Sequence, residues 1–132
     1  MDSSIFVFEI FDWKQRKVRL NRKTYEIHCN YRPETPLYLP EAQQVISDPD
    51  VVLLNDKGAT LLYRFGLGKS QFSNLYLQVV VYYESKNNSP EIGKVATYFF
   101  TDEIDTDCKI IEHRAQYLMG QRFNYKETNG NK

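Results

Sequence analysis

Two histidines, His28 and His113, are the side chains best suited to moving a proton near neutral pH. Only His28 has neighbours that suggest chemistry. Arg32 follows it by four residues, a spacing that puts both on one face of a helix. Arg64 sits in the strand-like stretch Leu62-Tyr63-Arg64-Phe65, and Thr97 in Val95-Ala96-Thr97-Tyr98. Brought together, an imidazole, two guanidinium forks and a hydroxyl would make a phosphate cleft. The same residues have an ordinary reading, in which His28 packs or caps its helix and Arg64 pairs with a surface carboxylate.

Other chemistries find no support. Gly66-Leu67-Gly68-Lys69-Ser70 ends like a phosphate loop, but the opening glycine of that motif would fall at Tyr63. Neither histidine has a second histidine three to five residues away, and Cys29 and Cys108 form no CxxC pair, so no metal site and no cofactor is expected. No serine stands in a G-x-S-x-G elbow. The chain carries 17 basic and 17 acidic residues, which argues against global capture of nucleic acid by charge. Charge is nonetheless uneven. Lys14, Arg16, Lys17, Arg19, Arg22 and Lys23 crowd one stretch, and Asp102, Glu103, Asp105 and Asp107 another.

The elements that must position these groups follow from length and periodicity. At 132 residues with 42% hydrophobic content, one domain over residues 1–125 is expected, with a polar flexible tail at 126–132. Ile5 to Phe11 is strand-like, and a polar turn through Lys17 leads to a short strand at Val18 to Leu20. Asn21 caps a helix expected to run to about Arg32, before Pro33 and Pro36. Pro40 opens a second helix that ends at Asp48-Pro49-Asp50. Period-two patterns then mark Val51 to Asn55 and Ala59 to Phe65 as a hairpin, Leu75 to Glu84 as a strong strand, and Gly93 to Thr101 as its antiparallel partner. A short helix is expected from Ile110 to Met119. The class is α+β, an N-terminal hairpin and two helices packed on a curved antiparallel sheet. Its expected core is Leu61, Tyr63, Val79, Val81, Ala96, Tyr98 and Phe100, with Thr97 turned toward the cleft. No segment approaches the ~20 apolar residues that cross a bilayer, and no leader is evident, so a soluble cytoplasmic protein without a membrane partner is expected.

In order, Tyr25-Glu26-Ile27-His28, Arg32-Pro33-Glu34, Asp48-Pro49-Asp50-Val51, Leu62-Tyr63-Arg64-Phe65 and Val95-Ala96-Thr97-Tyr98-Phe99 resemble the small phage-associated nuclease domains of the barnase, EndoU, colicin and RelE (BECR) group. The resemblance spans roughly residues 17 to 105. It implies a metal-independent endoribonuclease, a toxin or phage-conflict effector, that attacks RNA through the ribose 2′-OH and has a cognate inhibitor or antitoxin protein. It assigns proton transfer to His28, phosphorane stabilisation to Arg64, and hydrogen-bond donation to Thr97. Arg32, Arg19 and Lys23 would hold the RNA. Two positions depart from the pattern: Arg32 stands where the group often has histidine, and Phe99 where it has tyrosine. Both departures favour the alternative, a non-catalytic protein- or RNA-binding domain that keeps the fold.

Overall fold

The computed structural model describes residues 5–85, 90–105 and 108–113. Strand β1 (Phe6–Phe11) and strand β2 (Lys17–Asn21) form the expected hairpin, and Asn21 caps helix α1 (Arg22–Cys29) by accepting from the Lys23 amide at 2.9 Å. A four-residue helix, α2 (Glu34–Leu37), precedes α3 (Leu39–Ser47), which has Pro40 in its first turn. With strands β3 (Val51–Leu54), β4 (Thr60–Phe65), β5 (Tyr76–Glu84), β6 (Ile92–Thr101) and β7 (Lys109–His113), the described residues form a seven-stranded sheet in the order β1-β2-β6-β5-β4-β3-β7. The class is α+β, as expected.

The β3–β4 turn follows from its residues. The Asn55 side chain accepts from the amides of Lys57 and Ala59, and Gly58 takes a φ of 86°, a left-handed conformation that costs glycine little. On α3, Ala42, Val45 and Ile46 are buried at helical spacing and face the sheet.

Four expectations are corrected. α1 ends at Cys29 rather than Arg32, although the Arg32 amide still donates to the His28 carbonyl at 3.0 Å and so continues the helical path for one turn. Ile110 to His113 belong to β7, because they pair with the edge of β3, and the rest of the helix expected there lies outside the described residues. So does the tail at 126–132. The sheet is not wholly antiparallel: β2 runs parallel to β6 through Lys17↔Ile92, Val18↔Gly93 and Arg19↔Lys94.

The fourth correction concerns the core, which has two sides. Val79, Val81, Val95 and Tyr98 join Phe8, Val18, Leu20 and the buried face of α3 on the helix side. Leu61 and Tyr63 lie on the other face, with Val51, Leu53, Tyr76 and Ile104. Strand alternation sends neighbours to opposite faces, so residues from three strands cannot share one core unless their phases agree. A bulge also intervenes. Val80 pairs with Thr97 and Val81 with Val95, which leaves Ala96 as the extra residue, only half-buried. Val95 and Tyr98 therefore fall on one face, and Thr97 on the other beside Val80.

A buried carboxylate ties the hairpin turn to the rest of the sheet. Asp12 is 1% exposed. It accepts from the amides of Lys14 (2.9 Å) and Arg16 (2.8 Å), from Arg16 Nε (2.9 Å) and from the Tyr83 hydroxyl (2.7 Å). Arg16 also reaches Glu91 at 3.0 Å and lies 3.9 Å from the Tyr83 ring centroid. Burial, then the bond to Asp12, pushes the Tyr83 hydroxyl well above the usual tyrosine range, so it stays a donor. Beneath that ring lies Gly93, where a Cβ would come within 2.8 Å of Tyr83 and Val81. Removing the carboxylate leaves several donors unsatisfied at once. Asp12→Ala is expected to cost about 3 kcal/mol, and Tyr83→Phe about 1 kcal/mol. Urea denaturation checks this, and a loss for Asp12→Ala no larger than that for Glu91→Gln would contradict the role assigned to Asp12.

Candidate functional site

Arg64 projects from β4 on the helix side, where its strand partner is Leu77 of the larger core cluster. Its Nη1 donates to the Asp48 carbonyl at 3.0 Å and to Asp48 Oδ2 at 3.2 Å. Asp48 is the C-terminal cap residue of α3, so the guanidinium meets the negative end of that helix. The pocket around it, about 270 Å³, is lined by Gln43, Gln44 and Ser47 of the same helix. Arg64 thus has a structural occupation of the ordinary kind, pairing with a carboxylate.

Thr97 lies on the opposite face of the sheet, one strand beyond β5, and its hydroxyl is buried without a hydrogen-bond partner among the described residues. Arg64 and Thr97 therefore do not meet. Two strand spacings of ~4.8 Å separate their strands, and the sheet itself separates their side chains. His28 belongs to α1, which packs against β1, β2, β6 and α2, and β4 lies two strands beyond β6 in the sheet. The cleft of His28, Arg64 and Thr97 expected from the sequence is not assembled.

Other predicted residues do come together. The Arg32 guanidinium lies 4.7 Å from the centroid of the Phe99 ring, a cation–π contact between the two positions that depart from the nuclease pattern. Neither member can exchange a proton near neutral pH, since arginine stays charged and phenylalanine has no ionisable group. His28 is half-buried one helical turn before Arg32. Tyr98, next to Phe99, points the other way and donates its hydroxyl to the Thr35 carbonyl in the core, where burial raises its pKa far above the ordinary value.

Arg19 and Lys23 line one groove of about 520 Å³. It opens where β2 ends at Asn21 and turns into α1, leaving β6 without a strand neighbour on that side beyond Lys94 among the described residues. Ile5, Phe6, Ile27 and Lys94 share the lining. Arg19 is oriented by Glu9 at 2.5 Å and lies 4.9 Å from the Phe6 ring centroid. Of these residues, Ile5, Phe6, Ile27 and Lys94 carry no site signal in the sequence. Lys94 reaches Arg19 only through the parallel pairing, for which no local pattern gives a signal.

Compared with protein-family models, curated proteins and solved structures, the chain matches none of them. What the fold and the site define is an α+β domain with a guanidinium–aromatic pair and a basic groove along one edge of β6. No helix among the described residues is long and apolar enough to cross a membrane.

The buried Thr97 hydroxyl gives a test of the geometry. Thr97→Val replaces an unpartnered polar atom with a methyl group of similar volume and is expected to stabilise the protein by about 1 kcal/mol. A fall in the urea midpoint would show that the hydroxyl is bonded and that Thr97 has a different setting.

Proposed function

We propose that this chain is a cytoplasmic RNA-binding domain of the BECR type, in which positions used for catalysis in that group serve binding. The contact of Arg32 with Phe99 carries the reading. A guanidinium laid on an aromatic ring presents a fork for phosphate and a flat surface for an unstacked base, the combination by which single-stranded RNA is commonly held. It offers neither an acid nor a base for cleavage. The separation of Arg64 from Thr97 supports the same conclusion, because a phosphorane needs its stabilising groups on one side of one cleft.

A second reading, a metal-independent endoribonuclease opposed by a cognate inhibitor, is favoured by one observation: His28 lies a single helical turn from Arg32. In that reading the imidazole takes the 2′-OH proton and Arg32, rather than Arg64, stabilises the developing charge.

One assay separates the two. Fluorescence anisotropy of a labelled single-stranded RNA in EDTA is expected to show salt-sensitive binding, weakened at least fivefold by Arg32→Ala. The RNA recovered from the same samples should be intact on a denaturing gel. Cleavage abolished by His28→Ala would establish the nuclease instead, and neither binding nor cleavage would overturn both readings.

A further inference from the structure

We propose that the groove between β1, β2, α1 and β6 is a nucleotide subsite for single-stranded RNA, in which Lys23 and Lys94 hold phosphate and Phe6, Ile5 and Ile27 receive the base. This rests on the RNA-binding reading and adds a second contact point to it.

Charge placement is the first argument. α1 has no acidic residue in its first turn, yet Arg22 and Lys23 stand there, at the positive end of the helix dipole. Cations at that end work against helix stability. Arg19 and Lys94 are direct partners across the parallel pairing, so two positive side chains stand side by side on one face of the sheet. Glu9 offsets Arg19, and Glu84 lies 3.5 Å from Lys94. Lys23 has no ion pair among the described residues. Local arrangements that oppose stability at one place are characteristic of binding sites, and a bound anion would relieve the charge at the start of α1.

The apolar wall narrows the ligand. Ile5 and Ile27 are each 50% exposed beside the Phe6 ring, a surface that inorganic phosphate would leave uncovered. A nucleotide supplies both an anion and a flat apolar face. The volume falls within the range of small-ligand sites, roughly 300–1,000 Å³. From Lys94 the strand runs to Phe99, five residues and about 15 Å at the usual strand rise, so groove and guanidinium–aromatic pair lie along one path. Arg19, Lys94 and Phe99 belong to the sheet face opposite α3, with α1 at the edge of β6 between them, which suits a strand of RNA laid along β6.

The test uses a fluorescein-labelled oligouridylate, which is single-stranded and unstructured. The double variant Lys23→Ala/Lys94→Ala should bind more weakly, and its slope of log affinity against log salt should fall by about 1.4, two phosphate contacts at ~0.7 each. Ile27→Ala should weaken binding without changing that slope. The melting temperature of the lysine variant should stay level or rise, because a cation leaves the helix N-terminus; a fall would mark the lysines as structural and overturn the proposal. If the parent binds, Arg32→Ala weakens binding and the lysine variant does not, the groove assignment fails while the RNA reading stands. No binding by the parent overturns the RNA reading and the subsite with it. Polyglutamate competing as strongly as the oligonucleotide, with Ile27→Ala neutral, would overturn the nucleotide assignment alone.

Discussion

The parallel joint between β2 and β6 is the constraint on which the rest of the structure depends. Antiparallel neighbours can be linked by a tight turn, but parallel ones require a crossover. The chain between β2 and β6 therefore has to carry α1, α2 and α3 across the sheet and lay down β3, β4 and β5 before it returns. Among the described residues, three pairs form the joint. Val18, buried within it, and the Asp12–Arg16–Tyr83–Glu91 cluster at its end hold it in register. Gly93 contributes by leaving room for the Tyr83 ring, since a side chain there would press the ring away from Asp12's reach.

The shortness of the joint also makes the groove. Had β2 continued alongside β6, the edge beyond Lys94 would be filled by backbone. Instead Asn21 switches the chain into a helix, and its cap sets the first turn of α1, with Lys23, over the opening. At the far end of α1 the helical path persists to Arg32 and delivers its guanidinium to Phe99. One helix thus positions both contact points, and a neutral chain acquires a local run of positive charge along a single strand edge.

Much of the fold is legible in short patterns because local chemistry decides it. The Asn55-Asp56-Lys57-Gly58 turn, the Asn21 cap and the apolar spacing of Ala42, Val45 and Ile46 all act within a few residues. Three things were not legible, and each is non-local. The bulge at Ala96 depends on how β6 is paired, and it changes which of Val95, Thr97 and Tyr98 share a face. The strand character of Ile110 and Ile111 comes from the edge of β3. The neighbourhood of Arg64 is set by where α3 ends, so a residue that suits phosphate chemistry by type is engaged with Asp48 instead. For the site, residue types in sequence pointed to Arg19, Lys23 and Arg32, while Lys94, Phe6 and Phe99 acquired their places only through pairing.

RNA lying along β6, bound and uncut, is detected directly by amide chemical-shift mapping. Titrating ¹⁵N-labelled protein with a short single-stranded RNA in EDTA should move the amides of Lys23, Lys94, Arg32 and Phe99 together. Those around Arg64 and Asp48 should stay in place, and the RNA spectrum should remain that of the full-length oligonucleotide. Shifts concentrated around Arg64 and the end of α3, or the appearance of cleaved RNA ends during the titration, would contradict it.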